Sequence, residues 1–389
     1  MQRGPDHPLR CEYHAAGLCF SCTLIDEPYS RQVADKQRAI AALIDPLAPG
    51  LRWLEPRLSE QLGFRTKAKM VVAGTVDEPT IGILAADGSG QDLRDCPLYP
   101  PALSSAFAPL AAFVTRARLE PYSVPLRTGE LKHVLVTVAP DGDLMVRWVL
   151  RSTEALARVR KHLPWLLEQL PRLAVASVNV LPEHKAVVEG EREIVLTERE
   201  TLAMTVNGID LHLRPQSFFQ TNTEVAAALY RQAGAWLEAV SPDSLWDLYC
   251  GVGGFALHCA AAGREVVGVE VSEQAVASAQ RSRDERLAAD DATMESVTFV
   301  ADDAVGWASR QRGAPAAIVV NPPRRGLGEE LSRRLEESGA EAIVYSSCNA
   351  TTLARDLAWM PSYAAREARL FDMFPHTAHG EVAVLLERR

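Results

Sequence analysis

The chain has 389 residues, 47% hydrophobic and 23% charged, which fits a soluble globular protein of two or three domains and excludes wholesale disorder, collagen-like repeats and a membrane bundle. The formal net charge is −9, yet residues 1–200 hold 24 basic against 25 acidic side chains while 201–389 hold 17 against 25. The acid excess therefore sits in the second half. The first half is locally basic at 52–69 and 147–172, and phosphate binding needs local cation density, not a basic total. No run of apolar residues reaches the ~18 a transmembrane helix requires, so no membrane contact is expected. Residues 1–22 are charged and lack an apolar segment, so no secretory signal is expected and the cytoplasm is the default location.

At the start of the chain, Cys11, Cys19 and Cys22 make a C-x7-C-x2-C group, and Cys96 follows in Asp95-Cys96-Pro97. A reducing compartment disfavours disulfides, and four thiolates can hold a tetrahedral zinc or an iron–sulfur cluster. His14 lies inside the group, but no histidine stands at finger-like spacing, and the unequal spacing leans towards a cluster. Residues 30–46 have the period of an amphipathic helix. Strands are expected at 70–76 and 80–84 around Asp77-Glu78-Pro79, and at 134–138 and 145–150 around Pro140-Asp141-Gly142. A helix over 153–170, strands at 175–181 and 186–189, and a strand pair over 205–213 turned at Asn207-Gly208 complete a hairpin-rich α+β half.

From Leu245 the pattern becomes alternating apolar strands and helices, which implies a parallel sheet with crossover helices. The first strand, 244–250, carries the acid Asp247 and runs into Gly251-Val252-Gly253-Gly254-Phe255 before a helix. Glycines at such a turn let a ligand approach the backbone and the helix amides. The next strand, 265–269, ends in Glu270, placed to accept from both hydroxyls of a ribose. An acid at the strand end suits the cationic amino-acid end of S-adenosylmethionine better than a pyrophosphate, so Asp247 is expected to face that group. A third strand ends at Asp302-Asp303, which could meet the adenine edge. The fourth, 316–320, delivers Asn321-Pro322-Pro323-Arg324-Arg325-Gly326, where two prolines stiffen the exit from the sheet. The fifth, 342–345, runs into Ser346-Ser347-Cys348-Asn349 and puts Cys348 at a strand's carboxyl end, among polar neighbours. Cys250 and Cys259, in apolar surroundings, read as small buried hydrophobes.

The blocks Asn321-Pro322-Pro323-Arg324-Arg325-Gly326, Val344-Tyr345-Ser346-Ser347-Cys348-Asn349 and Phe371-Asp372-Met373-Phe374-Pro375-His376-Thr377-Ala378-His379-Gly380-Glu381 together resemble the signature set of RNA uracil-C5 methyltransferases. Ser217-Phe218-Phe219-Gln220-Thr221-Asn222 is similar to a further block of that family. The order of the four cysteines, the segment Gly63-Phe64-Arg65-Thr66-Lys67-Ala68-Lys69-Met70 and the lack of an extra N-terminal RNA-binding barrel look like the branch that methylates uracil 747 of 23S rRNA. The T-loop of tRNA is the alternative substrate, and a non-catalytic iron–sulfur RNA-binding protein the alternative class.

The resemblance implies an α/β chain whose C-terminal Rossmann-like methyltransferase domain, 209–389, follows a cysteine-rich region with a hairpin, 1–100, and an α+β RNA-binding region, 101–208, with 23–95 and the central region forming one packed unit as the alternative. It implies a [4Fe–4S] cluster on Cys11, Cys19, Cys22 and Cys96. Gln220, Tyr249, Glu270 and Asn321, with Asp302 or Asp303, would bind S-adenosylmethionine. Cys348 would be the nucleophile and Glu381 the base, with no obligate protein partner expected. Two positions depart from the family pattern: Tyr249 stands where Phe is frequent, and Gly380 replaces a bulky apolar residue.

Overall fold

A computed structural model describes residues 8–184 and 187–389. Residues 1–7, part of the segment read above as lacking a secretory signal, and Ala186, the first residue of an expected strand, lie outside the described residues.

The first half builds a seven-stranded sheet in the order Gly90–Asp92, Pro79–Leu84, Lys67–Gly74, Leu131–Val138, Leu144–Leu150, Leu173–Val180, Arg192–Val195. Both expected hairpins are present as antiparallel pairs. Leu144–Leu150 and Leu173–Val180 run parallel, because helix Leu156–Gln169 carries the chain back between them. One side of the sheet, with Met70, Val134, Val136, Val146, Trp148 and Val178, is buried in an apolar cluster that also takes in Phe107, Phe113, Val159 and Leu166. On the other side Arg147 is 2% exposed and donates from Nε to Glu193 Oε2 at 2.9 Å.

One expectation is corrected here. Residues 187–189 are not strand, and the partner of Leu173–Val180 is instead Arg192–Val195. The Asn179 side chain accounts for the delay: it donates to Gly190 O at 2.9 Å and accepts from Gly190 N at 2.7 Å, so a side chain replaces the ladder at that point. Gly190 is also wedged against the neighbouring strand, where a Cβ would lie 2.1 Å from Val180 O.

Strands Leu202–Val206 and Ile209–Leu213 form the expected hairpin, with Asn207 (φ 49°) and Gly208 (φ 82°) both left-handed as a tight two-residue turn requires. The second sheet has eight strands, in the order Arg52–Trp53, Tyr363–Phe371, Glu381–Arg388, Ala342–Ser347, Ala317–Val320, Ser244–Leu248, Glu265–Glu270, Val297–Ala301. Its centre is parallel, as the buried apolar strands imply, and Glu381–Arg388 is antiparallel to both neighbours. The first half also reaches this sheet. Arg52–Trp53 adds parallel to Tyr363–Phe371, and helix Tyr29–Ile44, expected at 30–46, buries Tyr29 and Val33 against Leu370. Among the described residues no helix is long and apolar enough to cross a membrane.

Candidate active site

The carboxyl ends of the parallel strands open into a cavity of about 690 Å³. Gln220, Tyr249, Glu270, Asp302, Asp303, Asn321, Cys348 and Glu381 all line it, so one cavity collects the residues expected to bind the cofactor or carry the chemistry, with the exception of Asp247. The sharp turn after Ser244–Leu248 forms its floor. Tyr249 (φ 66°), Gly251 (φ 54°) and Gly253 (φ 85°) are left-handed there, an arrangement that is strained for a tyrosine and free for glycine. A side chain at Gly254 would collide with the Tyr230 hydroxyl at 2.4 Å, so the close approach needs glycine. Glu270 is fixed by backbone amides, with Oε2 accepting from Gly251 N at 3.2 Å and Oε1 from Ser272 N at 3.0 Å. Asp303 caps helix Ala304–Arg310 by accepting from Gly306 N at 2.8 Å, and Asp302 pairs with Arg310.

Asp247 does not face the cavity as expected. It is 0% exposed, accepts from Ala256 N at 2.8 Å through Oδ2, and leaves Oδ1 without a partner. It therefore holds the helix after the glycine turn from beneath. Burial pushes its pKa up to about 7.

The loop 321–326 is held from behind by the helix that follows Cys348. Asn349 Nδ2 donates to Arg324 O at 2.9 Å, and Arg355 Nη2 donates to Arg325 O at 2.7 Å. Asp356, buried at the end of that helix, accepts from Leu327 N at 2.7 Å and from the Tyr345 hydroxyl at 2.6 Å. A Cβ at Gly326 (φ 78°) would lie 2.4 Å from the same carboxylate. The stiffening that the prolines suggest thus depends as much on a carboxylate thirty residues further along the chain.

Cys348 and Glu381 meet because strand Ala342–Ser347 lies antiparallel to Glu381–Arg388, with Ser347 opposite Val382. Glu381 is 1% exposed, and its Oε1 accepts from Ser346 Oγ at 2.6 Å. Burial raises its pKa to about 7, with the Ser346 hydroxyl opposing the rise. The half-buried Cys348 thiol is pushed up by burial and by Glu381, and drawn back down by the charge of the Arg324 guanidinium. Sequence reading did not assign Ser346 a role, although strand alternation places 346 and 348 on one face. Phe218, 75% exposed at the cavity, and Phe374 also line it; sequence reading assigns neither a role, although each stands in a quoted block, the first two residues before Gln220 and the second seven before Glu381.

Cys11, Cys19, Cys22 and Cys96 are all free and half-buried, and line a second cavity of about 140 Å³ together with Tyr13, Arg65, Lys69 and Tyr99. Burial and the other three thiols push Cys22 up to about 12. Among the described residues no three His, Cys, Asp or Glu side chains are grouped as ligands of a single ion. Cys250 and Cys259 are buried as expected, although Cys250 also touches the larger cavity.

The model of the tRNA (uracil-5-)-methyltransferase family matches residues 183–300 and 310–389. Over 381 residues the chain is 48% identical to the 23S rRNA (uracil(747)-C(5))-methyltransferase RlmC of Edwardsiella ictaluri, covering 98% of this chain and 99% of that one. The chain belongs to the tRNA (uracil-5-)-methyltransferase family. RlmC of Serratia proteamaculans is 46% identical over 98% of this chain and 100% of its own. In fold, the chain is similar to the Pyrococcus abyssi tRNA (uracil-54, C5)-methyltransferase solved with S-adenosyl-L-homocysteine, at a TM-score of 0.75 and 24% identity over 94% of this chain and 85% of that one. The family is one of S-adenosylmethionine-dependent α/β enzymes acting on uracil C5 in RNA.

Two predictions follow from this geometry. Asp356→Ala strands the Leu327 amide and the Tyr345 hydroxyl in a buried site, so it is expected to lower unfolding free energy by about 3 kcal/mol. It should also weaken S-adenosylhomocysteine binding by freeing the 321–326 loop; denaturant melts and calorimetric titration check both. For Asp247, the unfolded carboxyl has its usual pKa near ~4, and the folded one has about 7. Between those values the unfolded chain gives up a proton that the folded chain keeps, so this group makes stability fall as pH rises through that window. Asp247→Asn should therefore gain on wild type between pH ~4 and ~7, by roughly 1–3 kcal/mol, measured as denaturant midpoints across pH.

Proposed function

We propose that the chain transfers a methyl group from S-adenosylmethionine to C5 of uridine 747 in 23S rRNA. The target is carried by the relatives named above at 46–48% identity over nearly the whole chain. The chemistry is carried by one observation: a thiol and a buried carboxyl, Cys348 and Glu381, line the same cavity as the acid-lined ends of the cofactor strands.

Uracil C5 is a poor nucleophile until the ring is activated. The Cys348 sulfur adds to C6 as a thiolate, and the C5=C6 electron pair moves into an enolate with density at C5. C5 then takes the methyl group that bound S-adenosylmethionine supplies. Glu381, ionised, removes the C5 proton; the C5–H electrons re-form C5=C6, and the sulfur leaves as thiolate. Arg324 lowers the cost of that thiolate at both ends of the cycle. A carboxyl whose pKa stands near 7 is a competent base close to neutrality, where one in the usual range would hold a proton less well.

Gln220, Tyr249, Glu270, Asn321, Asp302 and Asp303 are the residues we assign to the cofactor, on a domain spanning 209–389. The target base reaches the cavity only out of its stack, and Phe218 at the mouth offers it a face. The regions 1–100 and 101–208 would hold the surrounding RNA, with Arg65, Lys67 and Lys69 facing phosphates. Four soft thiol donors around one cavity fit a [4Fe–4S] cluster on Cys11, Cys19, Cys22 and Cys96. Such a cluster would cross-link the N-terminal segment to the Cys96 turn; the atom balance above contains no redox step for it to serve. We place the protein in the cytoplasm with the ribosomal RNA it modifies.

Anaerobic incubation with tritiated S-adenosylmethionine and unmodified 23S rRNA or tRNA tests the reading. Label is expected in 23S rRNA and lost in Cys348→Ala. Label in tRNA alone would keep the chemistry and overturn the target. No label in either would favour an RNA-binding protein without catalysis. Glu381→Gln should slow turnover by about 10²–10⁴-fold while protein–RNA adduct accumulates. In wild type the breakdown of that adduct should quicken as pH rises through about 7, because only the ionised carboxylate accepts the proton. A single-turnover pH series measures it.

A further inference from the structure

The nine-residue connection 372–380 between Tyr363–Phe371 and Glu381–Arg388 brings the chain to Glu381, yet much of its anchorage comes from the other end of the sequence. Phe371 is the register partner of Glu381, so Asp372 begins where the strand pair carrying the carboxylate stops. Asp372 is fully buried, and both its oxygens are taken by helix Tyr29–Ile44. Lys36 Nζ donates to Oδ1 at 2.6 Å and the Tyr29 hydroxyl to Oδ2 at 2.6 Å. Lys36 also donates to Phe374 O at 3.0 Å, which fixes the loop residue that lines the cavity. The apex is held from the same helix, with His376 N donating to Gln32 Oε1 at 2.9 Å. His376 sits at φ 64°, a conformation that a non-glycine residue keeps only when its surroundings impose it.

A buried ion pair adds little net stability over apolar residues of the same volume, and its physical consequence is to select one arrangement of the groups it joins. Here those groups are a helix near the start of the chain and the loop that leads into Glu381. Gly380 fits the same arrangement. A Cβ there would lie 2.9 Å from Leu370, which packs with Tyr29 and Val33 of that helix, so the loop's far end lies against the same contact.

We propose that Lys36 and Asp372, with Tyr29, are positioning residues for Glu381: they fix the 372–380 loop so that the carboxylate meets the C5 proton, and they touch neither substrate nor cofactor. The proposal rests on the reading of Glu381 as the base. It predicts a defect confined to one step. Addition of Cys348 and methyl transfer precede proton removal, so a loosened loop leaves both intact and delays only elimination.

The test compares wild type, Glu381→Gln, Lys36→Met and Tyr29→Phe on 23S rRNA fragments carrying either uridine or 5-fluorouridine at the target. Fluorine at C5 cannot be removed by a base, so the second substrate reads adduct formation alone. Lys36→Met is expected to lose at least about tenfold in turnover on uridine, to accumulate methylated protein–RNA adduct there, and to trap 5-fluorouridine RNA at close to the wild-type rate. Tyr29→Phe removes one hydrogen bond and keeps the ring, so it should show the same signature more weakly and serves if Lys36→Met does not fold. Unchanged turnover in both variants, or slowed trapping of 5-fluorouridine RNA with no adduct on uridine, would overturn the proposal. If Glu381→Gln accumulates adduct and the other two do not, only the positioning role falls. If Glu381→Gln itself accumulates none, the base assignment falls and the positioning role with it.

Discussion

Strand Glu381–Arg388 runs against both of its neighbours in an otherwise parallel sheet centre, and the site depends on that reversal. Parallel strands all deliver their carboxyl ends to one edge, which is why Tyr249, Glu270, Asp302, Asn321 and Cys348 arrive there together. A strand pointing the same way would bring only its last residue to that edge. Reversed, it brings its first, and the residue it brings is a carboxylate set beside the thiol that ends the adjacent strand. The same pairing supplies the Ser346 hydroxyl as a donor to Glu381. Burial between strands raises the carboxyl's pKa, while the hydroxyl keeps the ionised form within reach.

Thiol and carboxylate make opposite demands at such close quarters. Ionised Glu381 pushes the Cys348 thiol up, and Arg324 pulls it down from the exposed side of the loop 321–326. The loop must therefore hold a guanidinium at a fixed place while it leaves the strand. Backbone carbonyls of Arg324 and Arg325 are tied to Asn349 and Arg355, so the peptide chain that carries Arg324 is registered against the helix starting just after Cys348. Cys348 and the peptide carrying Arg324 are thus positioned by one packed unit of the fold.

The parts that were legible in the sequence are those whose geometry is local or follows from strand direction. Strand, glycine turn and helix around Gly251 form a contiguous pattern, and a residue just past a parallel strand must lie at the ligand edge. Asp247 escaped the same logic because it lies inside the strand. Leu245 to Leu248 are all buried, and where both faces of a sheet are covered the sequence carries no alternation to say which way a side chain points. The strand at Arg192–Val195 escaped for another reason, since one asparagine side chain on the neighbouring strand displaced the pairing. Helix Tyr29–Ile44 was legible as amphipathic, but its partner loop lies more than three hundred residues away and periodicity names no partner.

Both signs of charge line the one cavity: Glu270, Asp302 and Asp303 share it with Arg324 and Arg325. On the proposed reading, carboxylates lining the cavity would attract a methyl donor that carries a sulfonium charge more than a product whose sulfur is neutral. The exposed side chains of the two arginines are carried on a peptide whose carbonyls accept from Asn349 and Arg355, and on the proposed reading they would meet the phosphates of a base that leaves its stack. On that reading a chain of net charge −9 would meet a polyanion through local cations and not through its total.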